Sequence, residues 1–273
     1  MNVALLIIGY DGYVDVWDSY FELLNKYWPS TIRPKTYLAT SVLHPNYDGV
    51  EVISAGENSE WSNKARTALE QINEDYVVLL LEDFFTTRNV DGKKLEHIVN
   101  LMEDNNLTFC RILDQKKMKG KHFKKEKHIK IIPSSDKYGL CLEPAIWNKK
   151  YLLELIGEGN YNPWIFEFKL LGKGLHNNGK IDSIQDDSNI LEITHGIIQS
   201  QYLPKCIKIF KKQNYTFDLK NRNVLNKKDN FKYNLKCFVN FHSPEWSKKP
   251  LKVIGRMMGV DFVSDRILGG EKK

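Results

Sequence analysis

Cysteine is scarce and scattered in this chain. Cys110, Cys141, Cys206 and Cys237 form no C-x-x-C pair, so the spacing offers neither a zinc cage nor a disulfide framework and points to a reducing cytoplasm. Long apolar runs are missing too, and no stretch reaches the ~20 residues that a membrane-spanning helix needs. The amino end lacks the basic start of a secretory signal, because Met1-Asn2 leads straight into Val3-Ala4-Leu5-Leu6-Ile7-Ile8. These absences lead to the expectation of a cytoplasmic protein, soluble or peripheral at a membrane. Internal repeats are absent as well. Aromatic residues are not interleaved with the strongly basic run at 115–130, where Phe123 stands alone among the lysines. That argues against nucleic acid as a partner.

What is present suits a globular protein. With 273 residues, 42% hydrophobic and 12% aromatic, the chain is long enough to bury a full core. Its net charge of +6 is compatible with anionic ligands such as nucleotide diphosphates or with acidic membranes, and selects neither. Lysine and asparagine are abundant, so compositional bias accounts for part of that charge.

Apolar runs and helical spacing alternate through the first third. Strands are expected at 3–8, 34–40, 50–53 and 76–81, and helices at 15–27 and 61–72. This alternation is the pattern of a parallel sheet with right-handed crossovers. A helix at 95–102 and a strand at 108–113 follow, then the lysine-rich segment as an exposed loop or hairpin. Paired strands are expected at 129–132 and 138–142, and helices at 147–156 and from Asn162-Pro163. A turn-rich passage over 172–187 precedes a strand at 190–194 and a helix at 204–212. A polar basic stretch to 234 and a last segment from Pro244 complete the chain. The expected division is a catalytic domain over 1–200, with halves 1–113 and 114–200, and a basic extension over 201–273.

The stretch with most chemical content is Tyr76-Val77-Val78-Leu79-Leu80-Leu81-Glu82-Asp83-Phe84-Phe85. Six apolar residues read as a strand buried on both faces, and the acids fall at its carboxyl end, where open α/β sheets bind ligands. Glu82 and Asp83 suit Mg²⁺ or Mn²⁺, which take oxygen ligands from one or two carboxylates and substrate phosphates. Being adjacent, they point opposite ways on an extended chain and share a site only where the strand has ended. Two solvated acids at a strand end are the plainer reading. Trp61-Ser62-Asn63-Lys64-Ala65-Arg66 opens a helix after a polar loop and brings N–H groups with two cations, Lys64 and Arg66, to an anion such as a diphosphate. Because those cations splay around the helix, one of them is expected to reach it. Tyr10 offers a ring to a base and Asp11 a carboxylate to its N–H, against the plain alternatives of a half-buried tyrosine and a helix cap. Glu167 in Pro163-Trp164-Ile165-Phe166-Glu167 is the candidate general base, since apolar neighbours raise a carboxylate's pKa. A Glu stabilised in the first helical turn is its ordinary counterpart. His195 ends a short strand within reach of a metal or diphosphate, and Asp186, Asp187 and Glu143 are spare acids.

Taken in order, these segments resemble the glycosyltransferase-like proteins of bacterial surface-polysaccharide clusters, of the GT-A type. The Tyr10-Asp11 turn, Trp61-Ser62 with Arg66 and the 76–85 stretch carry the likeness. So do Ala145-Ile146-Trp147 with Tyr151-Leu152-Leu153, Pro163 to Glu167, and His195-Gly196-Ile197-Ile198 with Tyr202-Leu203-Pro204. The resemblance implies an α/β fold with a Rossmann-like, mostly parallel central sheet flanked by helices, and the extension after it is expected from its own residues to be mainly helical. It further implies a nucleotide-sugar half, an acidic metal motif and an acceptor half. Residues 10, 11, 61, 64, 66 and 82 would then bind the nucleotide-sugar donor, and Asp83, Glu82 and His195 the Mg²⁺ or Mn²⁺ ion. Asp83 and Glu167 would serve transfer to a glycan or lipid-linked acceptor. Such families usually carry Asp-Asp or Asp-x-Asp, whereas the first acid here is Glu82, one methylene longer.

Other classes fit parts of the pattern. A nucleotidyltransferase or metal-dependent hydrolase also places acids after a buried strand, yet no cation follows Gly9-Tyr10-Asp11-Gly12 in sequence. A non-catalytic carbohydrate-binding module would use the six tryptophans. The segment 244–258 mixes lysines with Trp246, Leu251, Ile254 and Met258, so it suits either a peripheral membrane contact or packing on the fold.

Overall fold

The computed structural model describes residues 2–112, 120–136, 138–171 and 182–242, with 250, 251 and 253. Two compact units divide the chain, Met1–His195 and Gly196–Lys273.

The first unit opens with β1 (Val3–Ile8), a short 3₁₀ turn (Asp11–Tyr13) and α1 (Val14–Tyr27). β2 (Thr36–Thr40), β3 (Val50–Ser54), α2 (Trp61–Gln71) and β4 (Tyr76–Leu81) follow. After β5 (Phe84–Thr86) and α3 (Gly92–Asp104) come β6 (Phe109–Arg111) and β7 (Ile129–Ile131). The unit continues with β8 (Ala145–Asn148), α4 (Lys149–Ile156), α5 (Pro163–Leu170), β9 (Ser183–Asp186) and β10 (Ile193–His195).

Eight of these strands form one sheet in the order β3-β2-β1-β4-β8-β6-β9-β7. Its first four are parallel, β1 pairing β4 from Val3↔Tyr76 to Ile8↔Leu81. β8 then runs antiparallel between β4 and β6, β9 is parallel to β6, and β7 closes the edge antiparallel. The continuous apolar runs of β1 and β4 follow from burial on both faces, with Ala4 to Ile7 and Val77 to Leu80 at 0–1% exposure. The fold is therefore a mixed α/β sheet, mostly parallel and flanked by helices, as expected.

Local chemistry sets the helix ends. Asp91, Asn148 and Asn162 each accept the N–H three residues on, capping α3, α4 and α5, and Pro163 takes the first turn of α5. Gly157, at a φ of +60°, ends α4. Some expectations are corrected. Residues 147 and 148 belong to β8 rather than to the helix, because Ala145 to Trp147 are wholly buried between β4 and β6. Residues 138–142 are not a strand, since β7 takes β9 as its partner. The described part of the lysine-rich segment folds back as a hairpin, Phe123 N–H donating to Ile129 O and Ile131 N–H to Lys121 O. Residues 113–119, 172–181 and most of 244–258 lie outside the described residues.

In the second unit, β11 (Ile197–Ile198) and β12 (Gln201–Tyr202) form a hairpin whose two loop residues, Gln199 and Ser200, both have positive φ. That is the left-handed pair a two-residue hairpin turn demands. α6 (Pro204–Lys212) matches the expected helix, and α7 (Lys227–His242) occupies much of the stretch read as polar and basic. Tyr202, Phe210 and Phe217 pack ring to ring at 5.0–5.4 Å. Leu251 packs with Leu235 against Val239. Among the described residues no helix is long and apolar enough to cross a membrane.

Candidate functional site

Strand order runs outward from β1 in both directions, so the carboxyl ends of β1 and β4 flank the crevice where connectivity reverses. Their loops are tied together there. Glu82, 6% exposed, accepts the Tyr10 N–H at 2.9 Å through Oε1. Burial, then the adjacent Asp83 charge, pushes the Glu82 carboxyl up to about 8, against the pull of the Tyr10 N–H and Lys64. Burial thus favours the neutral form of Glu82. Gly9 has no room for a side chain, since a Cβ would meet the Trp17 ring at 2.9 Å and Leu38 at 3.0 Å.

Lys64 is the cation that enters this crevice. It is 4% exposed, donates from Nζ to Gly9 O at 2.5 Å, and stands 5.8 Å from the centre of the Tyr10 ring. Burial lowers its pKa, while Glu82, Asp11 and Glu60 resist that fall. Arg66 turns elsewhere, donating to Gly157 O at 2.7 Å and Gly159 O at 3.2 Å. The start of α2 is docked on the same loop, with Ser62 N–H on Tyr161 O and Glu60 N–H on Asn160 Oδ1. Trp61 is buried, its ring 4.8 Å from that of Phe166. Thus of the Trp61–Arg66 group, only Lys64 faces the carboxyl ends of β1 and β4.

Tyr10 is 60% exposed, its ring open to solvent. Asp11 accepts the N–H groups of Ser41, Val42 and Leu43 at 2.7, 2.9 and 3.1 Å, fastening the loop that leaves β2. Burial would raise its pKa, but those three bonds and Lys64 outweigh it and leave the value lowered.

Beyond β4 the two acids part. Asp83 Oδ2 lies 2.6 Å from His195 Nε2 at the end of β10, which pairs antiparallel with β5. Burial would lower the His195 pKa, but Asp83 and then Glu143 hold it above the ordinary value. Asp83 Oδ1 is buried and makes no hydrogen bond within the protein, as is the Tyr20 hydroxyl. Tyr20 senses both charges, its pKa raised by burial, by Glu82 and by Asp83. Among the described residues no group of three or more His, Cys, Asp and Glu side chains is placed to hold a metal. Of the three expected ligands, Glu82 faces Tyr10 and Lys64, and His195 faces Asp83. Asp83 Oδ1 is a buried, unshared oxygen of the kind a hard cation takes, but the three expected ligands do not come together as one metal-binding group.

A second pair of acids stands near His195. Glu143 precedes β8, and burial pushes its carboxyl up to about 7, with Arg111 and His195 opposing and Glu167 adding to the rise. Glu167 lies exposed on α5, between buried Phe166 and buried Leu170. Burial raises its pKa against a hydrogen bond from the Leu142 N–H. Arg111, 6% exposed at the end of β6, holds Gln185 Oε1 at 2.8 Å and Asp136 Oδ2 at 3.4 Å. Asp186 and Asp187 leave β9, and Asp187 binds Lys130 at 2.6 Å. From sequence Glu143 is a spare acid and Arg111 carries no role. The signals for them are an acid two residues before a buried strand and one charge inside Phe109-Cys110-Arg111-Ile112.

No protein-family model and no curated protein sequence matches the chain. Solved structures resemble it at low identity. TarS 1-349 from S. aureus in complex with UDP-GlcNAc is 12% identical, with a TM-score of 0.43 over 93% of this chain and 79% of that one. A cytidylyltransferase from Leptospira borgpetersenii is 16% identical, with a TM-score of 0.38 over 95% and 96%. A mannosyltransferase from Pyrobaculum calidifontis in complex with GDP-Man and Mn²⁺ is 12% identical, with a TM-score of 0.35 over 57% and 46%. The chain spans about half the length of two further TarS structures, 48% and 46%.

Proposed function

We propose that the chain is a glycosyltransferase, moving a sugar from a nucleotide-diphosphate donor to a surface-polysaccharide or lipid-linked glycan acceptor. One observation carries this reading. A buried cation and an unshared carboxylate oxygen stand at the carboxyl ends of β1 and β4, and the histidine on that carboxylate is sensed by Glu143, one of two acids with raised pKa. The first two suit a diphosphate leaving group, and the acid pair suits taking a proton from a hydroxyl.

In this mechanism the nucleotide crosses the carboxyl ends of β1 and β2. Tyr10 lends its exposed ring to the base, and Asp11 shapes the 41–43 loop beside it. Lys64 draws the diphosphate with its ammonium, already oriented by Gly9 O. Asp83 would be the residue to hold a Mg²⁺ or Mn²⁺ ion, which would supply positive charge for the leaving group. The acceptor hydroxyl passes its proton to Glu167 as its oxygen bonds the anomeric carbon. The bond from that carbon to the phosphate oxygen breaks, and the nucleoside diphosphate leaves with the electron pair. Burial raises the basicity of Glu167, and Glu167 adds to the rise at Glu143. The same reading locates the chain in the cytoplasm, or on the inner membrane face through 244–258.

A second reading has its own support. The turn after β1 has no cation next to it in sequence, yet Lys64 Nζ reaches Gly9 O, as a nucleotidyltransferase acting on a triphosphate would require. Product analysis separates the two. Nucleoside diphosphate released from a nucleotide sugar, dependent on a glycan acceptor, supports glycosyl transfer. Pyrophosphate formed from a nucleoside triphosphate and a sugar phosphate would replace it with nucleotidyl transfer.

A further inference from the structure

The positive charge of the chain is gathered in one of its two units. Residues 1–195 carry 23 lysines and arginines against 28 acids, and residues 196–273 carry 17 against 6. The first unit is thus net −5, even with its lysine-rich run at 115–130, and the second is net +11. A compositional bias toward lysine acts on both units alike and does not produce this division. Within the second unit, Lys205, Lys208 and Lys212 are exposed along one side of α6, while Cys206 and Phe210 are buried on the other. α7 opens on Lys227 and Lys228, both exposed, at the helix end where positive charge opposes the macrodipole. On the side of Lys227, one and three turns further on, Phe231 and Phe238 keep 60% and 57% exposure. Val239 takes the inward side, packed with Leu235 and Leu251.

We propose that this face of α7 rests on an anionic lipid surface, with Phe231 and Phe238 entering the headgroup layer and the lysines of α6 and α7 drawn to the acidic headgroups. Such a surface uses both parts of the face, since the rings leave water and the ammonium groups meet negative charge. A soluble polyanion such as polyphosphate would engage the lysines alone. A second copy of the chain would set one strongly basic face against another. This contact goes beyond the transferase reading and does not depend on it, because vesicle binding requires no substrate.

Flotation of the full chain with phosphatidylcholine vesicles, with and without phosphatidylglycerol, tests the contact. The parent protein is expected to float with the anionic vesicles, to stay behind with the neutral ones, and to lose binding as salt is added. Lys227→Gln with Lys228→Gln should lower vesicle affinity about 30-fold, and Phe231→Ser with Phe238→Ser about tenfold. All four side chains are exposed, so melting temperatures near that of the parent are expected. Nucleotide-sugar binding by the parent, measured by calorimetry, reports separately on the transferase reading. Vesicle binding without it keeps the membrane contact and removes the transfer. The proposal is overturned if the parent ignores anionic vesicles, binds neutral ones as well, or floats unchanged in both double variants. A phenylalanine variant that floats like the parent, beside a lysine variant that releases both vesicles and polyphosphate, overturns it in favour of a soluble polyanion.

Discussion

His195 Nε2 lies 2.6 Å from Asp83 Oδ2, joining the last residue of β10 to the residue that leaves the central strand. With the carboxylate accepting, the imidazole holds one oxygen and leaves Oδ1 turned into the protein without a hydrogen bond. Asp83→Ala is expected to lower transfer about 10²–10³-fold, the scale for losing one charged group at a developing anion. It should also abolish any thermal shift that nucleotide sugar gains from Mn²⁺. His195→Gln should weaken that metal-dependent shift while nucleotide binding without metal persists. An unchanged Mn²⁺ response in Asp83→Ala would remove the residue from metal binding.

Lys64→Met tests the buried cation. A similar length of side chain keeps the packing against α2, but the bond to Gly9 O is lost. Donor affinity measured by calorimetry should drop about 10–100-fold. Stability should fall by about 1–3 kcal/mol, since Gly9 O loses a charged donor.

Burial holds the carboxyl of Glu167, the proposed base, above the ordinary carboxylate value, so it accepts a proton only above that raised value. Transfer should therefore rise with pH through a midpoint above that of a free carboxylate, and Glu167→Gln should abolish the rise. Glu143, pushed by burial up to about 7, makes stability depend on pH. The stability effect has the opposite sense. A folded pKa above the ordinary 4.5 means that the native state binds more protons, so this contribution is complete below pH 4.5 and lost as pH rises through about 7. Glu143→Gln should narrow the fall in melting temperature over that window.

Arg66→Ala should act on the scaffold. It deletes the bonds to Gly157 O and Gly159 O, which hold the loop between α4 and α5. A loss of about 1 kcal/mol is expected, read as a lower melting temperature. Faster hydrogen exchange at residues 157–161 would accompany it. Unaltered exchange there would contradict the docking role.

Gly9→Ala asks whether the turn after β1 tolerates a methyl group. A Cβ at 2.9 Å from the Trp17 ring requires that ring or the backbone to shift. The cost of such overpacking is about 1–3 kcal/mol, measurable by denaturant unfolding.

Much of the sheet was legible because burial on two faces leaves a plain record. Val3–Ile8 and Tyr76–Leu81 are apolar runs of strand length, and both are strands with those bounds. β8 was harder to see. Ala145-Ile146-Trp147 is short and leads into a helix, and only its position between β4 and β6 makes it a strand. α7 was obscured by its many lysines and asparagines, which are polar around most of the helix.

The amino-acid sequence by itself determined which groups of the first unit stand at the strand ends, because runs of fixed length place Tyr10, Asp11, Glu82 and Asp83 directly after β1 and β4. Their partners were decided by tertiary structure. Lys64 and Arg66 are two apart on one helix, and helical geometry sends one to Gly9 and the other to Gly157. Glu82 and Asp83 are neighbours in the chain, yet one closes on Tyr10 and the other on His195, 112 positions away. Such pairings depend on which surfaces meet when the sheet assembles, and no local pattern of residues encodes them.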